Sequence, residues 1–319
     1  MNTYKTHSLC VIALLVAPLA FMASFIFWVD PYQLFGMQPF AKPYFFQTSE
    51  DSERQRLQAF GLIYSNIATN KNNGIVIGSS RTIGMSSAMI ARELNLDNVS
   101  NLSLIGGRGA ENKVLAKRAL ETGLVKAVIW EVDYWFSDPR EALGRIPSYL
   151  KTSTRIDDLQ YFFTPYVLSD AIDLTLGRNL VSWSTGLDSL SSPMRHYTKN
   201  TFQQASSKIV EKMKPILRAT KYEAGGWEGK SPRLDEDMIE VMRSYPAVEF
   251  YILFPVVPNI LYASADPALF PAWVAGRRYM VEQSRDMPNV KIFAFDNDSN
   301  IAGNLANFFD ENHSGRGGG

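Results

Sequence analysis

Cysteine and histidine are both scarce in this chain. The sequence has 1 cysteine, Cys10, and 3 histidines, which are His7, His196 and His313. Because Cys10 lies in an apolar N-terminal segment, the rest of the chain can form no disulfide bond and has no thiol nucleophile. Covalent catalysis would have to use a hydroxyl group, and a Ser–His mechanism would have few histidines to choose from.

Net charge and the common cofactor motifs are absent as well. The 32 basic residues balance the 32 acidic residues, so the composition does not indicate a polyanionic partner. The sequence contains no P-loop, no glycine-rich dinucleotide fingerprint and no zinc-type spacing of Cys and His. We therefore expect no cofactor, no metal ion and no nucleic-acid partner.

A long segment without charge lies near the N-terminus. Residues 8–29 read SLCVIALLVAPLAFMASFIFWV, and at ~1.5 Å per residue a helix of this length crosses a hydrocarbon core of ~30 Å. The alternative is a cleaved signal peptide. Its apolar region would normally cover only ~7–15 residues, and a small-x-small cleavage site is missing here.

The charges that flank this segment indicate its orientation. Lys5 precedes it and Asp30 is the first charge after it, which favours an N-terminus in the cytoplasm. We predict that residues 1–29 are a cytoplasmic tail and transmembrane signal anchor in a bacterial inner membrane. The remainder of the chain would then fold in the periplasm.

The segments beyond the anchor alternate between strand and helix patterns. Residues 30–48, rich in proline and aromatic residues, predict an extended juxtamembrane connector. The predicted strands are 74–78, 99–104, 126–132, 248–254 and 289–295, and the predicted helices include 49–69, 85–95, 111–123 and 270–286. Short apolar strands separated by helices indicate a parallel sheet that is covered on both faces. We predict one α/β domain over 49–319 with a helical insertion at about 139–235, and we place Glu53 and Arg56 on a solvated helix face.

Three segments follow predicted strands, where ligands bind in an open parallel sheet. Residues 78–82 (GSSRT) could present a serine beside N–H groups that hold developing negative charge, or Ser79 or Ser80 could only cap the next helix. Capping is the favoured interpretation of this segment alone.

Residues 101–109 (NLSLIGGRG) could offer a backbone N–H to an oxyanion, although an ordinary glycine turn is favoured. Residues 309–313 (FDENH) contain an Asp and a His that could pair as an oriented base.

In this order, the three segments resemble the SGNH (GDSL-type) hydrolase and acyltransferase superfamily. The match is closest to membrane-anchored bacterial SGNH-like proteins, which carry V-D-P-Y after the anchor, here residues 29–32, and a strand that ends in G-S-S-R-T, here residues 75–82 (IVIGSSRT). Such proteins include the alginate O-acetylation proteins and the D-alanyl-lipoteichoic-acid transfer protein. The resemblance covers about 29–140 and 248–313, and it implies a three-layer α/β/α fold with a flavodoxin-like sheet.

The resemblance also implies a site. Ser80 takes the position of the nucleophile, Asp310 and His313 match the final D-x-x-H, and the N–H groups of Ser80 and Gly106 take the oxyanion position. The implied activity is that of a serine esterase or O-acyltransferase on envelope glycans. The implied partners are the lipid bilayer through residues 8–29, a glycan substrate and a membrane acyl-donor protein.

Other side chains near the strand ends are candidates to face a substrate. These are Arg81, Asp133 and Trp135. For Arg81, pairing with Glu131 is the favoured alternative, and for the aromatic run around Trp135 the favoured alternative is packing. Glu131 and Asp133 share one face of a strand and could pair, or Asp133 could satisfy a nearby loop.

A catalytically inactive SGNH-like scaffold or glycan-binding protein is the alternative function. The third block of the family normally supplies an Asn as an oxyanion donor, but no Asn occurs between 113 and 157. The sequence also stops at SGRGGG directly after His313, so we expect this histidine to be poorly held. Both observations favour the scaffold, whereas the set of Ser80, Asp310 and His313 favours the enzyme.

Overall fold

A computed structural model describes most of the chain in two compact units. It describes residues 2–37, 44–46, 52–67, 73–83, 85–132, 146, 159–178, 180–182, 208–211, 234–256, 269–295 and 299–308. The anchor unit comprises 1–65 and 146–185, and the sheet unit comprises 66–145 and 186–319.

The helices and strands follow one another in the order below. They are α1 (Asn2–Val29), β1 (Tyr44–Phe46), α2 (Ser52–Leu62), β2 (Gly74–Ile77), α3 (Ser87–Glu93), β3 (Val99–Asn101), α4 (Gly109–Leu120), β4 (Ala127–Glu131), α5 (Leu159–Phe162), α6 (Pro165–Thr175), β5 (Leu180–Ser182), α7 (Glu240–Ser244), β6 (Glu249–Phe254), α8 (Leu269–Ser284), β7 (Val290–Ala294) and α9 (Ser299–Ala302). Turns of π-helix at Ile63–Ile67 and Asp235–Ile239 extend α2 and precede α7, and a 3₁₀ turn lies at Leu305–Asn307.

Helix α1 is the long N-terminal helix that the sequence predicts. Its residues His7–Val29 have a mean hydropathy of 2.6, and of the described helices it alone is long and apolar enough to cross a membrane. Its side chains are exposed from His7 to Phe21, whereas Ile26 and Val29 near its end are buried. The last turns of α1 therefore pack against the rest of the anchor unit, and the preceding turns extend away from it.

The anchor unit also contains a small antiparallel sheet. Strand β1 pairs with β5, with Phe45 opposite Val181. The segment 139–235, which the sequence predicts as a helical insertion, thus contributes a strand as well as helices. The pairing joins segments too far apart in sequence for local patterns to reveal it.

Helix α2 shows one clear error of the sequence prediction. Arg56, which we expected on a solvated face, is fully buried. Glu53, the other residue of the predicted face, is exposed, so only the Arg56 side of that face packs into the anchor unit. A weak amphipathic pattern assigns such a face poorly.

The sheet unit is built on five parallel strands, which confirms the predicted α/β fold with a parallel sheet. Their spatial order is β3-β2-β4-β6-β7. Ile75 of β2 lies opposite Val128 of β4, and Trp130 of β4 lies opposite Ile252 of β6. Numbered along the sheet unit, the strands have the order 2-1-3-4-5, which is that of flavodoxin-like folds.

Both faces of the central strands are buried. Val76 and Ile129 pack on one face against Ile90 and Ala91 of α3. The alternate residues of β2 and β4, such as Ile75 and Trp130, are fully buried on the other face. Right-handed crossovers place α3 and α4 on opposite faces of a sheet with this order, as three-layer α/β/α packing requires.

Candidate functional site

The strand order creates a switch point between β2 and β4. From β2 the chain runs outward to β3, then returns to β4 on the other side of β2. In sheets of this kind, ligands bind beyond the carboxyl ends of the strands at the position where the order reverses. Residues 78–82 follow β2, and Glu131 is the last residue of β4, so both lie at this position.

The Glu131 carboxylate binds Ser79 through both of its oxygens. Ser79 N–H donates to Glu131 Oε2 over 2.6 Å, and Ser79 Oγ donates to Glu131 Oε1 over 2.8 Å. The Ser79 hydroxyl also accepts a hydrogen bond of 3.3 Å from the Arg81 backbone N–H. Glu131 is 1% exposed and Ser79 is buried, so this pair fixes the turn from inside. The turn is therefore positioned by a buried charge that is hydrogen-bonded on both oxygens.

Thr82 and Arg81 complete the surroundings of the carboxylate. Thr82 Oγ1 lies 3.0 Å from Glu131 Oε2 and 2.8 Å from Ser103 Oγ. A hydroxyl has a single proton, so when Thr82 donates to Glu131 the Ser103 hydroxyl donates to Thr82. The buried guanidinium of Arg81 stands 3.9 Å from Glu131 Oε1, in accord with the pairing that the sequence favours for Arg81. Its positive charge offsets the cost of burying the carboxylate.

Glycine is required at position 78 because other groups come too close for a side chain. A Cβ atom there would collide with Thr82 Oγ1 and with the Glu131 carboxylate. The Gly78 carbonyl accepts a hydrogen bond of 3.1 Å from Leu104 N–H, and a Cβ on Gly107 would lie 2.7 Å from the same carbonyl oxygen. The loop after β3 therefore packs directly on the turn after β2.

Asn101 joins these two loops at the end of β3. Its side-chain amide donates to the carbonyls of Thr82 and Ile83 over 2.9 and 3.2 Å, and its Oδ1 accepts a bond of 3.0 Å from Ser103 N–H. The strand that the sequence predicts over 99–104 thus ends at Asn101. Beyond Asn101, Leu102 N–H still donates to Val76 O over 2.8 Å, and the Asn101 side chain adds the bonds that tie this loop to the turn after β2.

The capping role considered for Ser79 or Ser80 belongs to another serine. The N-cap of α3 is Ser86, whose side chain accepts a hydrogen bond from Met89 N–H. Ser80 follows the buried Ser79 and is itself half-buried. Gly106 has a φ of 61°, in the left-handed region that favours glycine, and is exposed in the neighbouring loop. The structure thus brings the turn of Ser80 beside the loop of Gly106.

Several residues of the predicted site lie outside the described residues. They are Asp310, His313, Asp133 and Trp135. The roles of Asp310 as the orienting carboxylate and of His313 as the base remain predictions from the resemblance. The roles of Asp133 and Trp135 as substrate contacts remain predictions from their place near a strand end. Within the described residues, no group of three or more His, Cys, Asp or Glu side chains is arranged to hold a metal ion.

Sequence reasoning identified the turn but missed what holds it. Glu131 was considered as a partner of Asp133 or Arg81, whereas its principal partners are Ser79 and Thr82. A glutamate at the end of the apolar strand AVIWE is the signal that could have revealed this. Since a buried charge must be paired and hydrogen-bonded, its partners had to be sought on the adjacent strand ends.

The anchor unit has a polar centre of its own directly after α1. The Asp30 carboxylate accepts hydrogen bonds from the backbone N–H groups of Leu34, Phe35 and Met37, at 2.8, 3.0 and 3.1 Å. Asp30 N–H bonds to Ile26 O, and the φ of Asp30 is 44°. The V-D-P-Y segment therefore ends the helix and wraps the next residues around a single carboxylate.

A second carboxylate in this unit joins distant segments. Tyr32 Oη donates a short hydrogen bond to Asp170, and Arg54 Nε lies 2.9 Å from the same carboxylate oxygen. Burial raises the pKa of Asp170, while Tyr32 and Arg54 oppose that rise. Burial and the adjacent Asp170 charge raise the pKa of the Tyr32 hydroxyl well above its usual range. Tyr32 thus remains the hydrogen-bond donor of this pair at physiological pH.

The burial of Asp30 predicts a pH-dependent stability of the anchor unit. Burial raises the pKa of Asp30 from 3.8 to about 6, against the lowering effect of its backbone hydrogen bonds. The folded state then binds the proton more tightly than the unfolded state, so this contribution is full below about pH 4 and is lost as the pH rises through 6. We expect Asp30 to lower the free energy of unfolding by about 3 kcal/mol between pH 4 and 7.

The matching variant is Asp30→Asn, which cannot titrate at this position. Hydrogen exchange of the amides of 34–37 at pH 4 and 7, corrected for intrinsic rates, should show a larger loss of protection with pH in the wild type than in the variant. Equal pH dependence in the two proteins would contradict the raised pKa of Asp30.

Comparison with known proteins identifies no relative of this chain. No protein-family model matches the chain, and no curated protein gives a significant match. The function is therefore inferred from the residues of the site.

Proposed function

We propose that this chain is a single-pass protein of a bacterial inner membrane, with its C-terminal part in the periplasm. The length and hydropathy of residues His7–Val29 support the anchor. The exposed apolar surface of α1 supports it as well, since such a surface has no stable place in water. Lys5 before the span and Asp30 after it support the orientation.

A reporter fusion tests this topology. An enzyme that is active only outside the cytoplasm, fused after residue 40, should be active in the full-length context, and a cytoplasmic reporter at the same place should be silent. N-terminal sequencing should find the chain uncleaved. A mature chain that starts near residue 25 would show a secreted protein instead.

For the sheet unit, we propose an SGNH-like serine esterase or O-acyltransferase that acts on envelope glycans. The observation that carries this proposal is the fixed turn at the switch point. Glu131 holds Ser79 from inside, so that Ser80 comes next at the ligand-binding end of the sheet, beside the Gly106 loop. Since Ser86 caps α3, capping does not explain the paired serines of this turn.

In the proposed reaction, Ser80 Oγ attacks the carbonyl carbon of an acyl ester. His313, oriented by Asp310, accepts the proton of the hydroxyl, and the N–H groups of Ser80 and Gly106 stabilise the oxyanion. The ester C–O bond then breaks, and the leaving alkoxide takes the proton from His313. Water or a glycan hydroxyl releases the acyl group from Ser80, either as a free acid or as a new ester. A membrane acyl-donor protein would supply the acyl group in the transfer reaction.

The alternative is a scaffold or glycan-binding protein without turnover, and one observation favours it. Strand β4 ends in a carboxylate that only accepts hydrogen bonds, at the strand end where the family normally supplies an Asn donor. An oxyanion would then have one donor fewer, which typically costs ~10²–10³ in rate.

An assay of the full-length chain in lipid nanodiscs separates the two functions. The enzyme should hydrolyse a small acetyl ester or an O-acetylated glycan, and a serine-directed phosphonate should stop it. A scaffold should bind the glycan with no turnover and no effect of the phosphonate. Absence of both hydrolysis and acyl transfer at full occupancy would refute the enzymatic proposal.

A further inference from the structure

Two helices of the anchor unit pack beside the end of α1. Helices α5 and α6 both contact α1. The ring of Phe27 lies 6.4 Å from that of Phe162 and 5.3 Å from that of Phe35, and Phe35 stacks on Phe162 at 5.3 Å. An aromatic cluster therefore joins the last turn of the apolar helix to α5.

The position of this cluster along α1 fixes its depth relative to a membrane. Phe27 is two residues from the end of the helix, which corresponds to ~3 Å along its axis. Ile26, one residue earlier, is already fully buried against the anchor unit. Since a span of this length just covers a hydrocarbon core of ~30 Å, residues that touch Phe27 lie at the outer boundary of that core. Helix α5 is therefore at membrane level wherever α1 spans the bilayer.

Helix α6 presents an uncharged outer stripe at this level. Its buried face carries Val167, Asp170, Ala171 and Leu174. The exposed positions from the start of α6 to its C-cap carry no charge; they are Pro165, Ser169, Ile172, Thr175 and the C-cap residue Leu176, and the charged Arg178 follows beyond the helix. A helix face that meets water normally carries charged residues. The outer stripe thus lacks the composition of a water-facing surface.

Exposed apolar side chains continue from α6 onto α5. Leu159 is 57% exposed and Phe163 is 50% exposed, and Leu176 at the far end of α6 is 55% exposed. Large apolar side chains at this exposure mark an interaction surface. Lipid is the occupant that fits, because both helices contact the apolar helix α1 and Phe162 of α5 lies beside Phe27 in its last turn.

We propose that α5 and α6 form an interfacial lipid-binding element, with Leu159, Phe163, Ile172 and Leu176 inserted at the boundary between headgroups and acyl chains. The proposal rests on the membrane span of α1 that we proposed above. Interfacial amphipathic helices bury their apolar face by ~5–10 Å, a depth that the packing of α5 against the last turn of α1 allows. The element would fix the tilt of the anchor unit on the bilayer at two points.

Site-specific lipid quenching tests this element in the full-length chain in nanodiscs. In a Cys10→Ala background, single cysteines at Ile172 and Leu176 would carry an environment-sensitive fluorophore. One set of nanodiscs would contain lipids spin-labelled near the headgroup, and a second set, used for position 21, would contain lipids spin-labelled deep in the acyl chain. Ser169→Cys is a nearly isosteric second variant on the same stripe. Met89→Cys on α3, which is 53% exposed, is the matched control, and Phe21→Cys in α1 reports the span itself.

The labels at 169, 172 and 176 should emit at shorter wavelength and be quenched several-fold more strongly than the label at 89. Quenching equal to that at 89, with strong quenching at 21, would overturn the interfacial element and leave the anchor intact. A shift to shorter wavelength at 172 and 176 without lipid quenching would show a protein partner on this face and would also overturn it. Weak quenching at both 21 and 172 would refute the anchor and this element together.

Discussion

Replacing Glu131 by alanine is expected to lower the free energy of unfolding of the sheet unit by about 3–5 kcal/mol, the usual cost of breaking a buried ionic pair. The substitution removes the acceptor for Ser79 N–H, Ser79 Oγ and Thr82 Oγ1, and it leaves the Arg81 guanidinium without its nearby countercharge. These groups are buried or nearly so, and water cannot fully replace the lost partner. Hydrogen exchange of the β2 and β4 amides measures the loss within this unit.

The matched control is Glu93→Ala, which removes the same side chain from an exposed pair with Arg92. Exposed pairs contribute little, so we expect a change below about 0.5 kcal/mol there. Glu131→Gln should fall between the two, because it keeps one acceptor oxygen but directs an amide N–H₂ at groups that donate. Equal stability of Glu131→Ala and Glu93→Ala would show that the Ser79 contacts do not hold the turn.

Replacing Ser80 by alanine is expected to reduce ester hydrolysis by on the order of 10⁶-fold, to the background of the assay. The proposed reaction uses the Ser80 hydroxyl as nucleophile, and alanine has no hydroxyl to accept the acyl group. The fold should survive, because Ser86 caps α3 and the buried groups of Ser79 and Thr82 bind Glu131. The free energy of unfolding should change by about 1 kcal/mol or less.

Ser79→Ala and Ser103→Ala are the controls for that substitution. Ser79→Ala removes a buried donor to Glu131, so it should destabilise the sheet unit by about 1–3 kcal/mol while a measurable rate remains. Ser103→Ala removes only the bond to Thr82 and should have a smaller effect on both quantities. Full activity in Ser80→Ala would rule out this residue as the nucleophile.

Strands β2, β4, β6 and β7 could be predicted because each contains a short apolar run between polar turns. Runs such as GIVI and AVIWE are buried on both faces, and burial of this kind leaves a continuous apolar pattern in the sequence. Their ends were less certain. The strand expected to reach residue 104 ends at Asn101, although the N–H groups of Leu102 and Leu104 still donate to the carbonyls of Val76 and Gly78.

The contacts between distant segments could not be predicted. Tyr32 and Asp170 are 138 residues apart, and β1 and β5 are separated by a similar length of chain. No local pattern encodes such pairs. Taken alone, Tyr32 and Asp170 could be ordinary surface residues, and β1 and β5 could be any short strands. Arg56 illustrates the same limit, because its burial depends on what packs against α2.

In the candidate site, the motif was visible but the hydrogen bonds that position it were not. The GSSRT turn and the glycine loop were recognised from their place after two strands, and the parallel sheet brings them together. The role of Glu131 depends on the register of β2 and β4, which places the end of one strand beside the turn of the other. The roles of Asp310 and His313 remain predictions from the resemblance.

The most direct test of the central claim is to identify the serine that reacts. The full-length chain in nanodiscs would be treated with a fluorescent serine-directed phosphonate, digested and mapped by mass spectrometry, with the Ser80→Ala protein treated in parallel. The proposed mechanism predicts one labelled peptide, modified at Ser80, and no labelling of the variant. Labelling at Ser79 would show that the Glu131-bound hydroxyl is the nucleophile, and no labelling of an intact protein would show a scaffold; either result would contradict the claim.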